Sequence, residues 1–291
     1  MKKITEKNNN NSNNIDSFST KNILKTINSE DSNIPAVINK SINDIEKVVN
    51  SLVKVFNNNG KLFYVGCGTS GRLGILDAVE CPPTFSTPID MVQGIIAGGN
   101  KAIYESVENA EDSDIDAIKI IREKISNKDF VIGISASGSA NYVLAALKES
   151  CKLGAKTCLI TCNEFKKEKF FNHLIELIVG PEIISGSTRM KAGTATKMVL
   201  NMITTTTMIR INKTYGNYMV DLKVSNEKLK IRAVNIVKKL TGLNIERSEK
   251  ILEKANNNVK AAIVMQRKNV DYDSSLVLLN KMNGNLRSII G

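Results

Sequence analysis

The chain predicts an α/β fold: a doubly wound, mostly parallel five-stranded sheet followed by a small C-terminal helical bundle. Three observations carry this. Short apolar runs alternate with helical stretches between Lys61 and Val179, as in a parallel sheet covered on both faces. Two Ser/Gly-rich turns, GCGTSGR from Gly66 and SASGS from Ser135, each follow such a run. That is where open sheets place ligands, outside the carboxyl ends of their strands. Beyond Ser225 only helical periodicity is left.

Residues 1–16 are Asn-rich without apolar periodicity and read as a disordered tail. Residues 17–224 form the α/β domain with its N-terminal helices, and residues 225–291 the bundle. Ile23, Leu24 and Ile27 suggest a short helix, and Asn33-Ile34-Pro35 a break. From Val37 to Phe56 the apolar spacing is that of one helical face. The strand candidates are Lys61–Val65, Met91–Ile96, Phe130–Ile134, Thr157–Ile160 and Leu174–Val179. Helical stretches between them are Ser70–Val79, Asp114–Ile125, Ala140–Leu153 and Lys166–Phe171. The first of these should stop near Glu80, because Pro82 and Pro83 cannot continue a helix. A long apolar helix follows from Lys191 to Ile211. The bundle then reads as Lys228–Leu240, Ile245–Ala255, Val259–Gln266 and Ser274–Met282, with Ser225-Asn226 as its opening cap.

At 291 residues with 42% hydrophobic and 24% charged content, the chain is a globular protein with one large core or one core plus a small domain. No apolar run approaches the ~20 residues of a membrane helix, and Met1–Asn14 has no apolar core of a secretory signal. A cytoplasmic protein without membrane partner is expected. The five cysteines, Cys67, Cys81, Cys151, Cys158 and Cys162, are odd in number and suggest no disulfide framework. With His173 as the only histidine and no Cys-x-x-Cys, neither a zinc site nor a histidine-based nucleophile is indicated. A packing role suits His173 better. The net charge of +11 is spread over the chain, and aromatics are only 5%. This argues against nucleic acid as a partner; a diffusely basic surface is the plainer reading, and it would still attract an anionic substrate.

The Gly66 turn is neither G-x-G-x-x-G nor a Walker loop, so a nucleotide is not indicated. A strand running into a helix still presents unpaired N–H groups beside the hydroxyls of Thr69 and Ser70, which suits a phosphate. The plainer alternative is that these glycines and serines only make tight turns and caps. Glu80 stands near the expected helix end, where the dipole disfavours a carboxylate. Val79 and Cys81 would desolvate it. Both effects favour the protonated acid that a proton donor at neutral pH requires; the alternative is an exposed helix-end side chain. The acidic segment from Glu108 to Asp114 is either a solvated cap or the source of a second carboxylate. Arg189 and Lys191, beside Ser187 and Thr188, could hold an anion or form a surface pair.

GCGTSGRLGILDAVECPPTF, NAEDS, GISASG, IVGPEIISGSTRMKAGTATKMVLNM and YGNYMVDLKVSNEKL together resemble the N-acetylmuramic acid 6-phosphate etherases of the sugar isomerase (SIS) superfamily. The resemblance runs from about Ile23 to Ile290. It implies a SIS-like sheet domain and a ubiquitin-associated-like bundle. It also implies removal of D-lactate from C3 of N-acetylmuramic acid 6-phosphate by elimination and then hydration, leaving N-acetylglucosamine 6-phosphate. No metal or other cofactor is implied, and a homodimer is. The glutamate before Cys-Pro-Pro, the family's proton donor, matches Glu80; that of Ala-Glu-Asp matches Glu111. The positions that match the family's phosphate-holding hydroxyl loops are Ser70, Ser135, Ser137, Thr69 and Ser139. Gly71, Arg72, Gly138, Ser187, Thr188, Arg189 and Lys191, from the same turns and the loop before the long helix, complete the expected substrate-binding set. Two departures stand out. Ala140 replaces the customary threonine, and Glu164 the proline of Cys-Asn-Pro. A lost hydrogen bond to a charged group costs about 1.5–3 kcal/mol, one to two decades of affinity. A sugar-phosphate sensor without chemistry and an aldose-ketose isomerase are the competing readings.

Overall fold

The five apolar runs are five parallel strands: β1 (Leu62–Gly66), β2 (Val92–Ile96), β3 (Phe130–Ile134), β4 (Lys156–Thr161) and β5 (His173–Glu176). Their order in the sheet is β2-β1-β3-β4-β5. β1 and β3 are buried along their whole length, as strands covered on both faces must be. The computed structural model describes residues 3–166 and 168–291. Residues 1 and 2 of the expected tail, and Lys167 of the expected helix Lys166–Phe171, lie outside the described residues. The other residues of that stretch are not helical.

Helices follow in chain order: α1 (Thr20–Asp31), α2 (Ile34–Lys40), α3 (Ile42–Asn57), α4 (Gly68–Phe85), α5 (Lys101–Tyr104), α6 (Asp114–Lys124), α7 (Asn141–Lys152) and α8 (Lys191–Arg210). The expected single helix Val37–Phe56 is broken at Ser41, whose hydroxyl donates to the Glu176 carbonyl at 2.8 Å. The expected break falls at Ser32-Asn33, between α1 and α2, and Pro35 sits in the first turn of α2, where its missing N–H costs nothing.

Two compact units result: Met1–Val79 with Asp90–Thr204, and Glu80–Ile89 with Thr205–Gly291. The second unit thus begins at Glu80, within α4, and resumes at Thr205, within α8, before residue 225. In the first, Phe63, Val65, Val131, Val143 and Leu159 join the sheet to α6 and α7 in one core. The second holds α9 (Glu227–Thr241), α10 (Ile245–Lys254), α11 (Val259–Lys268), α12 (Tyr272–Lys281) and α13 (Leu286–Ile290). These close on Val237, Leu252, Ala262 and Ile263. Asn226, Asn244, Asn258, Asp271 and Asn285 each accept a backbone N–H at the start of one of these helices.

Residues 3–16 of the expected disordered tail are ordered. Its described part forms three short 3-10 turns, Ile4–Glu6, Asn10–Ser12 and Ile15–Ser17. Thr5 is fully buried. Asn9 donates to Glu30 at 2.8 Å and to the Pro181 carbonyl at 3.1 Å, and Ser12 to the Ile183 carbonyl at 2.8 Å. Side-chain hydrogen bonds hold this strap, and apolar periodicity cannot detect them.

Candidate active site

The strand order reverses between β1 and β3, so the ligand crevice of a doubly wound sheet opens at their carboxyl ends. Gly66 at the end of β1 is the register partner of Ile134 at the end of β3. The two Ser/Gly turns therefore leave the sheet side by side, about 4.8 Å apart.

The first corner is shaped by close packing. A Cβ on Gly66 would lie 2.6 Å from the Gly71 nitrogen, and one on Gly71 2.7 Å from the Gly66 oxygen. Gly71 was expected to touch substrate, but it is buried and its N–H donates to the Cys67 carbonyl at 3.3 Å. It lets strand and helix meet. Thr69 and Ser70 are half-buried in the first turn of α4, whose leading N–H groups have no partner inside the helix. Arg72 was also assigned to substrate. Its guanidinium instead donates to the carbonyls of Ile103 at 3.0 Å and Glu105 at 2.8 Å, tying the next loop to α4.

The second corner is a chain of hydroxyls. Ser135 and Ser137 are 3.5 Å apart and Ser137 and Ser139 3.0 Å, measured between Oγ atoms. Ser139 N–H donates to Ser137 Oγ and Ala140 N–H to Ser135 Oγ. Ser135 is buried, Ser137 half-buried and Ser139 exposed. Gly138 makes the turn at φ +70°, its N–H donating to the Ser135 carbonyl at 2.9 Å. Ala140 is the N-cap of α7 and offers no side-chain cap.

Thr69 also approaches the start of α8: its methyl lies 3.6 Å from where a Cβ on Gly193 would stand, as does the Thr188 carbonyl. Ser187 and Thr188 are half-buried there and Arg189 is exposed. Lys191 does not serve as an anion ligand. It is buried, and its ammonium pairs with Glu30, whose carboxylate also takes Asn9 and Asn11. Burial alone would raise the Glu30 pKa, but the hydrogen bonds from Lys191, Asn11 and Asn9 outweigh it and lower it.

Glu111 stands in a 3-10 turn, Ala110–Asp112, set by Asn109 in the left-handed region at φ +59°. It lines a cavity of about 260 Å³ together with Cys67, Gly68, Arg72, Glu105 and Glu108. Burial pushes the Cys67 thiol up to about 12, with the charges of Glu111 and Asp112 adding to it, so the thiol stays neutral.

Glu80 is exposed. Both parts of the environment expected for it are absent. First, α4 continues to Phe85 through Pro82 and Pro83, and Ser86 N–H closes the last turn on the Pro82 carbonyl at 2.9 Å. Proline's fixed φ is itself helical, so the two residues forgo donors without ending the helix, and Glu80 is not in the last turn. Second, a helix turns about 100° per residue: Ala78 and Cys81 are buried, while Val79, 58% exposed, faces outward with Glu80.

Pattern reading missed three buried groups. Asp77 accepts from Tyr64 at 2.8 Å, Asn201 at 2.7 Å and Thr204 at 3.1 Å, clamping α4 to β1 and α8. Burial raises its pKa against these bonds. Glu182 accepts the N–H groups of Lys191 and Ala192 and so caps α8 from outside the helix. Asn163 joins the strap to the second corner. Asp77 and Asn163 have partners distant in sequence, and Glu182 reaches nine and ten residues onward, so no helix or strand spacing announces them. His173 sits as expected, with Nε2 2.9 Å from Ser51 Oγ and its ring stacked on Phe130.

Residues 44–151 match the family model described as the glucokinase regulatory protein N-terminal SIS domain, and residues 216–275 that of the same protein's C-terminal lid domain. Solved structures from Escherichia coli and Listeria monocytogenes superpose with TM-scores of 0.50. Each is 16% identical; they cover 69% and 68% of this chain and 97% and 95% of their own. Fold and site thus define a SIS-domain protein. N-acetylmuramic acid 6-phosphate etherase 1 of Bacillus licheniformis is 46% identical over 98% of this chain and 95% of its own. The N-acetylmuramic acid 6-phosphate etherase of Clostridium botulinum strain Loch Maree is 47% identical over 97% and 94%. The chain belongs to the N-acetylmuramic acid 6-phosphate etherase family. Among the described residues no helix is long and apolar enough to cross a membrane.

Proposed function

We propose that this protein cleaves the D-lactyl ether of N-acetylmuramic acid 6-phosphate with water, giving N-acetylglucosamine 6-phosphate and D-lactate. The observation that carries the proposal is the pairing of the two Ser/Gly corners at the switch point of the sheet, with Glu111 on the cavity beside the first. The hydroxyls of Ser135, Ser137 and Ser139, with Ser70 and Thr69 opposite, take the phosphate. The Glu111 cavity does not suit it: Glu105, Glu108 and Glu111 line it, and the Arg72 guanidinium is spent on carbonyls. That cavity suits the uncharged end of an open-chain sugar.

In the open form, the C1 aldehyde acidifies the C2 proton. One carboxylate removes it; the C3–O bond breaks and lactate leaves with a proton from the acid. Water then adds to the unsaturated aldehyde at C3. Glu80 is the proton donor and Glu111 the second acid of this scheme.

Glu80 needs a drier setting than a single chain provides, and a homodimer would supply it. Leu76 and Val79 are 48% and 58% exposed on the same helix. Packing α4 against a second copy would cover these apolar groups and desolvate the acid between them. A cytoplasmic location fits a substrate of this kind.

The test is D-lactate release from N-acetylmuramic acid 6-phosphate by purified protein without added metal. Glu80→Gln should fold and release none, a loss of at least ~10²-fold. Normal turnover by that variant removes the donor assignment. Sugar-phosphate binding without product would favour a sensor, and ketose formation an isomerase.

A further inference from the structure

We infer that Asn163 is a positioning residue for phosphate binding, and that the N-terminal strap holds it in the working orientation. The inference rests on the reading of the second corner as the phosphate site.

Asn163 follows β4, the strand next to β3, and is almost fully buried. Its Nδ2 donates to the Ala136 carbonyl at 3.0 Å. Two further donors converge on that carbonyl: Cys162 N–H at 3.0 Å and Thr161 Oγ1 at 3.4 Å. A trans peptide points its C=O and N–H in opposite directions. Pinning the Ala136 oxygen toward β4 therefore turns the Ser137 N–H away from β4, toward the open side of the hydroxyl chain. Among the described residues the N–H groups of Ala136 and Ser137 have no partner, whereas those of Ser135, Gly138, Ser139 and Ala140 are all bonded. Of the two amides left to meet an anion, that of Ser137 is the one whose direction the pinned Ala136 carbonyl sets.

The strap fixes the Asn163 amide. Its Oδ1 accepts from Ile4 N–H at 2.6 Å and Thr5 N–H at 3.3 Å, and its Nδ2 also donates to Thr5 Oγ1 at 3.1 Å. A flipped amide would face donors with donors. Both Nδ2 protons and the oxygen are thus used, and the only orientation that satisfies them aims a proton at Ala136. The strap reaches the neighbouring hydroxyl loop as well, since Gly186 N–H donates to the Thr5 carbonyl at 3.2 Å.

Three full-length variants test this: Asn163→Ala, Asn163→Asp and Thr5→Val. Binding of N-acetylglucosamine 6-phosphate is followed by calorimetry, with unphosphorylated N-acetylglucosamine as control, alongside kcat, KM and thermal midpoint. Asn163→Ala should raise Kd and KM for the phosphosugar about tenfold, with kcat within about twofold and the control sugar unaffected. Asn163→Asp keeps the acceptor for the strap but presents no proton to Ala136, and should lose affinity at least as far. Thr5→Val should show a smaller change in the same direction. A lowered midpoint with unchanged phosphosugar affinity would overturn the inference, as would wild-type affinity in Asn163→Asp. Wild-type binding without lactate release would remove the etherase activity and leave this inference standing. Absence of any phosphosugar binding by the wild type would remove both.

Discussion

The two corners at the ends of β1 and β3 are neighbours in the sheet but are held by opposite means. The Gly66 corner is held by tight packing: Gly66 and Gly71 stand where no Cβ fits, and its one charged side chain is spent on backbone carbonyls. The Ser135 corner is polar and cross-braced through serine hydroxyls, the Ala136 carbonyl, Asn163 and the strap. The lesson is a division of labour. A corner made rigid by packing places a carboxylate on a cavity wall, and one made rigid by hydrogen bonds keeps donors ready for an anion.

Substitutions can break this contrast or sharpen it. The largest effect belongs to the cavity wall. Glu111→Gln should lower kcat by about 10²–10⁴-fold with product affinity and fold intact, measured by lactate release and circular dichroism. Packing comes next. Gly66→Ala would set a methyl 2.6 Å from one backbone atom and 2.8 Å from another, and should cost about 3 kcal/mol in denaturant unfolding. Gly68→Ala meets no neighbour but has φ +49°, and should cost only about 1 kcal/mol. Equal losses would remove the packing argument.

The polar corner can be improved. Ala140 is an uncapped N-cap, so Ala140→Thr should add about 1 kcal/mol of stability. It should also tighten phosphosugar binding up to about tenfold, read by thermal midpoint and calorimetry. The smallest effect is on pH. Glu30 anchors the strap with its pKa below the free value of 4.5. Its contribution is whole above that value and fades as the pH falls through the folded one. Protection factors of the amides in residues 3–17, with the base-catalysed intrinsic exchange rate divided out, should therefore fall below pH 4.5 before those of the sheet core; a fall toward alkaline pH would be the wrong sign.

Much of the first unit was readable in advance. Strands β1, β3 and β4, and α6, α7 and α8, follow from apolar spacing to within a residue or two, because a strand buried on both faces must be apolar throughout. β2 is found in the same way, while β5 ends three residues early, at Glu176, and is only half-buried for most of its length. The two glutamates were picked out by motif, and spacing alone left both open. Misreadings fall where a partner lies far along the chain. Lys191 looked like an anion ligand until Glu30 met it. Gly71 and Arg72 looked like ligand groups but brace the corner itself. The Asn-rich start looked unstructured because its anchors are Glu30, Asn163, Pro181 and Ile183.

By itself the sequence determined the element types, the hydroxyl content of the turns and the supply of carboxylates, since those depend on local spacing and side-chain chemistry. Tertiary structure alone decided that β3 lies against β1 and brings both turns to one crevice. It also decided which charges are spent inside the protein and which stay free. Strand order and the buried Lys191–Glu30 pair are set by contacts between residues tens to hundreds of positions apart, and no local window of the chain contains both partners.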